Sequence, residues 1–325
     1  MSAPAATAPS LARRLLTGFG PFIGLVAIAG LFAALRWETF ATWDNFAIVL
    51  QQTAVIGIAA LGMTLVIIAG GIDLSVGSII AVGTVVIAQL VQRGWSPLLA
   101  ALSGVAAAAA CGAFSGLLIT RLRLLPFVVT LGMMGTLRGA AKGLAGEQTI
   151  YPDETWLNKL MQLGGRGSLP GGVWLMLVFA VLVAFLLRYT RFGRHVFAVG
   201  SNELSARLCG VPVERVKLLV YALGGLFAGL GGVLQFAYLT GGDPTTAVGL
   251  ELNIIAAVVI GGASLAGGSG TVTGTLVGAL IMSVVANGCT KVGLSNWVQE
   301  IVTGGIIIAA VLLDYLRRRT ASDAA

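Results

Sequence analysis

The chain alternates between long apolar runs and short polar intervals, and the runs have the length of membrane crossings. Apolar segments fall at about 19–36, 46–69, 74–92, 97–120, 124–142, 172–188, 216–239, 249–267, 271–288 and 296–314. About 20 apolar residues on a helix cross about 30 Å of hydrocarbon. The pattern predicts an all-α integral membrane protein of about ten transmembrane helices. The strand-like alternation of an outer-membrane barrel does not occur. Two joints are forced by length. The stretch 46–92 holds two spans and must turn at "GGIDLSVGS" (70–78), and 249–288 must break at "GGASLAGGSG" (261–270).

Composition strengthens this reading. The 325 residues are 57% hydrophobic and 10% charged, against about 25% charged in soluble domains. The 46 glycines suit a tight bundle, because small residues let membrane helices approach closely. Gly270, Gly274 and Gly278 recur at i, i+4 and i+8, which predicts a packing groove on one helix face.

Polar intervals set the orientation. Thirteen of the 20 basic residues, among them Arg13, Arg14, Arg121, Arg123, Arg194 and Arg207, fall on one side when the spans alternate. The positive-inside rule then places both termini in the cytoplasm. The net charge of +7 is mostly this signal, and nucleic acid is not an expected partner. Two loops stand out, 143–171 outside and 189–215 inside. Within the inner loop, "NELSARLCGVPVER" predicts a short helix from Glu203 to Leu208, capped by Ser201 or Asn202 and ended by Gly210 and Pro212.

Asp73 is the sharpest chemical feature, a carboxylate between two apolar runs. A charge in hydrocarbon costs at least about 2.5–3.5 kcal/mol, so it faces protein or water. It can cap the following helix, or line a polar path or gate, and the two roles are compatible. Asn253 and Gln235, within or near apolar spans, can bond a polar solute or join two helices. "GGIDLSVGS" and "GGASLAGGS" agree at five of nine positions, which fits either a parallel internal repeat or chance in a glycine-rich chain. Cys111, Cys209 and Cys289 lie far apart with no CxxC spacing. No Walker A, GxSxG or HExxH pattern occurs, so the chain has no means of its own to hydrolyse ATP and no credible catalytic set.

Four stretches, "ALGMTLVIIAGGIDLSVGS", "PFVVTLGMMGTLRG", "FAVGSNELSARLCGVPVERVKLLVYALGGLFAGLGGV" and "VVIGGASLAGGSGTVTGTLVGALIMSVVANG", occur in order. Over about 46–313 the chain resembles the membrane permeases of ribose-type monosaccharide ABC importers. The resemblance implies a type II-like permease fold over 19–314 in the bacterial cytoplasmic (inner) membrane, with polar tails at 1–18 and 315–325. It implies three protein partners: a second permease copy, a cytoplasmic ABC ATPase that uses the ATP, and a periplasmic sugar-binding protein. Membrane lipid surrounds the assembly, and this chain itself needs no cofactor. The inner loop resembles the family's ATPase-coupling segment, with Glu203, Ala206 and Gly210 on its pattern and Arg207 beside them. Leu204 and Ser205 depart from it, standing where alanines are common. The "GGIDLSVGS" element resembles the family's signature helix break. There Gly70 and Gly71 would permit the break, while Asp73, Ser75 and Ser78 satisfy the freed backbone. The solute stays open among pentoses, hexoses, inositol, other polyols and the furanosyl signal autoinducer-2. An ion-coupled secondary transporter acting alone is the alternative, with Asp73 as its one candidate coupling acid.

Overall fold

In the computed structural model the described residues are 11–163 and 168–322, and they are helical throughout their core. The helices are α1 (Leu11–Leu35), α2 (Trp37–Phe40), α3 (Trp43–Ile68), α4 (Val76–Gln92), α5 (Pro97–Arg121), α6 (Pro126–Ala145), α7 (Gly171–Tyr189), α8 (Arg191–Ser201), α9 (Glu203–Leu208), α10 (Val213–Leu239), α11 (Leu250–Ile260), α12 (Val272–Val292) and α13 (Asn296–Ser322). Nine of the ten predicted apolar segments fall on one of these helices, and the first part of 249–267 falls on α11. Five of them, α3, α5, α7, α10 and α12, are by themselves long and apolar enough to cross a membrane. Of the expected tails, 1–10 and 323–325 lie outside the described residues. Residues 11–18 and 315–322 are helical, continuous with α1 and α13.

α3 is the central post. Its residues from Thr53 to Ile68 are buried on every side, as expected of a helix with no polar face. It packs against α10, α12, α11 and α7. A Thr42 hydroxyl accepts the Asn45 N–H at its start, and Thr64 and Thr275 hydroxyls meet at 2.7 Å to tie it to α12. Glycine lets α10 and α5 approach to backbone contact. Gly112 and Gly225 oppose each other there, and Gly229 lies against Val105. Burial of small residues at such faces replaces the hydrophobic drive that lipid removes.

Two expectations need correction. α11 spans only 11 residues, about 16 Å at 1.5 Å per residue, so the apolar run 249–267 is not one crossing helix. Gly262 ends it in the left-handed region (φ +94°), with Gly262 N–H on Val259 and Ala263 N–H on Val258, a Schellman stop. Gly270 is likewise not on the helix face with Gly274 and Gly278, because α12 begins at Val272. It sits in the break against Ile68 and Ala263. Gly274 and Gly278 do pack closely, against the carbonyls of Gly261 and Ala257 on α11.

The loop at 143–171 is anchored. Ile150 and Gly242 exchange two backbone hydrogen bonds at 2.9 and 2.8 Å. Leu157 and Met161 are buried, and the Gln51 amide donates to the Met161 carbonyl. The described part of this loop therefore covers the end of the bundle opposite α9.

The glycine contacts predict a contrast. A side chain at Gly278 meets the α11 backbone, whereas one at Gly132 meets open space. Gly278→Val is expected to cost about 1–3 kcal/mol through overpacking. Gly132→Ala is expected to gain up to about 1 kcal/mol of helix propensity. Thermal unfolding of the two variants in one detergent measures the difference.

Candidate functional site

The first break is built by side chains that answer for freed backbone groups. α3 ends in a Schellman stop, with Gly70 at φ +78°, Gly70 N–H on Ile67 and Gly71 N–H on Val66. Asp73 is 2% exposed and its Oδ1 accepts both the Ser75 N–H at 2.8 Å and the Ser75 hydroxyl at 2.5 Å. Ser75 is the N-cap residue of α4 yet its own side chain caps nothing. The capping work falls to Asp73, two residues earlier, through an Asx turn. Ser78 has a different task from the one expected, since its hydroxyl donates to the Met134 carbonyl on α6 at 2.8 Å. The free Ile72 carbonyl instead takes the hydroxyls of Thr130 at 3.2 Å and Tyr221 at 3.4 Å. Neither residue could be found from the sequence, because both lie far along the chain.

The second break, 261–271, opens with the same chemistry and a shifted register. The left-handed glycine that ends its first helix is Gly262, the second of its pair, whereas the first break uses Gly70, the first of its pair. The aligned glycines of the two motifs therefore do not play the same part. α12 restarts after its N-cap Thr271, whose hydroxyl accepts the Gly274 N–H at 3.1 Å.

The two breaks touch each other and the end of α8. The Ile68 carbonyl at the end of α3 accepts the Gly268 N–H at 2.9 Å. Gly200, near the end of α8, lies against that same Ile68 carbonyl and the Gly268 nitrogen, with no room for a Cβ. A Cβ on Gly267 would come 2.7 Å from the Gly200 carbonyl and 2.9 Å from Gly70 Cα. Three backbones thus meet at one glycine-packed junction.

α9 follows that junction directly. Asn202, not Ser201, caps it, accepting the Ser205 N–H at 2.9 Å. Gly210 (φ +80°) closes it, with Gly210 N–H on Arg207 and Val211 N–H on Ala206. Arg207 bonds Glu214 at 2.5 Å and Glu203 at 3.4 Å, and Lys217 bonds Glu203 at 2.6 Å. The Lys217 bond, aided by Arg207, holds the Glu203 carboxyl below its ordinary range. The Arg207 bond does the same for Glu214. Surface pairs contribute little singly, but this network fixes the tilt of α9 on the start of α10. Ala206 is 5% exposed and seats the helix, while Leu204 and Leu208 are 69% and 81% exposed. The apolar knobs of α9 are therefore Leu204, which the sequence marks only as a departure from the family pattern, and Leu208, which it does not mark.

At the opposite end, Asn253 lines a cavity of about 320 Å³ with Gln51, Gln52, Gln235 and Tyr238. Gln235 also serves as glue, donating to the Thr246 hydroxyl at 2.8 Å. Arg138 holds the same 243–247 segment through the carbonyls of Pro244 at 2.9 Å and Thr246 at 2.6 Å. On the other face of α11, Glu251 reaches Gly77 at the start of α4.

Comparison with known proteins places this arrangement. The family described as "Branched-chain amino acid transport system / permease component" matches residues 45–311, a span that includes both breaks, α9 and the cavity. The chain belongs to this family. It is 40% identical to the ribose import permease protein RbsC of Escherichia coli (strain K12) over 75% of this chain and 76% of that protein. It is 39% identical to the L-arabinose ABC transporter permease protein AraH of Azospirillum brasilense, over 81% and 78%. The fructose import permease protein FrcC of Rhizobium meliloti is 34% identical over 75% and 70%. No solved structure matches.

Removing the Asp73 carboxylate is expected to damage the break by a defined route. Asp73→Ala leaves the Ser75 N–H and hydroxyl without an acceptor inside the bundle, at about 1–3 kcal/mol for each unsatisfied group. Asp73→Asn keeps an acceptor oxygen and is expected to lose less. The order wild type, Asn, Ala in melting temperature checks the assignment.

Proposed function

We propose that this chain is the permease subunit of an ABC importer for a sugar or polyol in the bacterial cytoplasmic membrane, driven by a separate ATPase. The observation that carries the reading is the junction of Gly70, Gly200 and Gly268. It joins both helix breaks to the segment that presents α9. A push on α9 cannot be absorbed at a contact where backbones already touch, so it moves the ends of α3, α8 and the second break together. Such rigid-body rocking around a packed contact is a common form of switching.

In this reading both termini and α9 are cytoplasmic, all ten apolar helices take part in the bundle, and 143–171 faces the periplasm. Leu204 and Leu208 enter an apolar groove on the ATPase, while Glu203, Ala206, Arg207 and Gly210 hold the helix that presents them. A periplasmic binding protein delivers the solute at the opposite end, and a second permease copy completes the pathway. The importers named for ribose, arabinose and fructose among the relatives support a neutral sugar as cargo. Asp73 serves as a capping group. Its Oδ1 is occupied by Ser75, which disfavours the alternative of ion-coupled transport through that carboxylate.

Reconstitution tests the proposal. Proteoliposomes holding the permease, its ATPase and its binding protein are expected to accumulate a labelled sugar only with ATP and all components. Uptake by the permease alone on an ion gradient would overturn it. Leu204→Asp and Leu208→Asp are expected to lower uptake by tenfold or more while leaving the permease folded. Ala206→Asp, by contrast, is expected to unseat α9 itself. Co-purification of the ATPase and the melting temperature separate the two outcomes.

A further inference from the structure

The cavity beside α11 is polar in a particular way. Four side-chain amides besides that of Asn253 line it, from Gln51, Gln52, Gln235 and Gln299, and among the described residues no Asp, Glu, Lys, Arg or His does. Most of these polar groups already have work to do. Gln51 donates to the Met161 carbonyl, Gln235 to Thr246, and Gln299 to the Leu294 carbonyl at 2.9 Å. The hydroxyls of Ser283 and Thr290 donate to carbonyls one turn back on α12.

Gln52 and Asn253 differ from the rest. The side-chain oxygen of each is buried and has no hydrogen-bond partner. A buried polar atom without a partner is a standing cost, so two at one cavity call for an explanation. The terminal torsion of an amide is soft. A modest turn presents either oxygen, or the amide nitrogen beside it, to an occupant of the cavity. A neutral polyol offers hydroxyls that both donate and accept, and amides match them without a charge. An ionic solute would find no counter-charge here.

Size and place agree. About 320 Å³ lies at the small end of the range for ligand sites. A second cavity of about 570 Å³ adjoins it between α11, α12 and α13, and shares Val248, Asn253, Ala286 and Gln299 with it. Asn253 therefore stands at the boundary of two chambers.

We propose that the smaller chamber is a subsite, one within each permease copy, that holds a neutral polyol through Gln52 and Asn253, with Asn253 contacting the solute as it passes between chambers. This rests on the importer reading above and adds to it the residues that meet the cargo. The affinity is modest, since two hydrogen bonds guide a solute without trapping it.

The test uses the full importer in proteoliposomes with labelled D-ribose, L-arabinose and D-fructose as probes. Gln52→Met is expected to lower uptake of the imported sugar about tenfold, the effect of losing one hydrogen bond at a buried site. Asn253→Leu is expected to lower it further. A second measurement does not depend on transport. Ala286→Cys, which lines both chambers and leaves Gln52 and Asn253 in place, is labelled with a small methanethiosulfonate in a chain with Cys111, Cys209 and Cys289 replaced by alanine, and the imported sugar is expected to slow labelling severalfold. Wild-type uptake in both variants, or labelling unaffected by any of the three sugars, overturns the subsite. If the wild-type assembly imports a sugar with ATP while the subsite fails, the importer reading stands. If the wild type imports only on an ion gradient, that reading fails and the protection measurement alone decides the subsite.

Discussion

One hydrogen bond joins the parts of this protein that would have to move, the bond from Gly268 N–H to the Ile68 carbonyl. In hydrocarbon a backbone polar group finds no water, so any break in a helix must be answered by protein. Ile68 stands in the last turn of α3, where carbonyls lose their intrahelical partners. The second break supplies the partner. Each break therefore stabilises the other, and neither can be rebuilt independently. Gly200 is drawn into the same contact because only a residue without Cβ can approach a carbonyl already engaged.

This interdependence explains why the first break is so thoroughly satisfied. Asp73 takes the Ser75 groups, Thr130 and Tyr221 take the Ile72 carbonyl, and Ser78 secures α4 to α6. In the proposed coupling, a joint that transmits force must not dissipate it in local unfolding. The hydrogen bonds reach α6 and α10 as well as α4, so displacement at the junction is shared among helices. The network on α9 does the corresponding task at the aqueous end. There Glu203, Arg207 and Glu214 are about half exposed and Lys217 is more covered, and the four set orientation more than stability.

Much of this architecture is legible in the sequence, and the omissions have physical causes. Apolar runs mark every long helix because lipid imposes its thickness on them. The Asn202 cap and the Gly210 stop are local, and local rules find them. The end of α11 is harder to see, since the apolar run continues past Gly262 and only the backbone geometry shows the stop. Gly270 has helical spacing with Gly274, yet spacing says nothing about where a helix begins. On α9, Ala206 fits the family pattern and was expected to take part in coupling, but six residues do not declare which face is covered. Only packing on α10 reveals that Leu204 and Leu208 point away. Thr130 and Tyr221 carry no local signal, because their shared partner, the Ile72 carbonyl, is remote in the chain.

α11 is the element where these strands of argument meet. At 11 residues it is too short to cross the bilayer as a single helix. At its start, Asn253 borders the polar chambers while Glu251, two residues earlier, reaches Gly77 on α4. At its far end, Ala257 and Gly261 lie against Gly278 and Gly274 with no side chain between. A solute held at Asn253 thus bears on an element that contacts α4 just after the first break and itself runs into the second. The same two breaks are gripped from the other side by Gly200. Occupancy at one end and displacement of α9 at the other therefore act on a shared set of backbones. Coupling between the two needs no dedicated relay of side chains, only that these backbones hold two discrete arrangements.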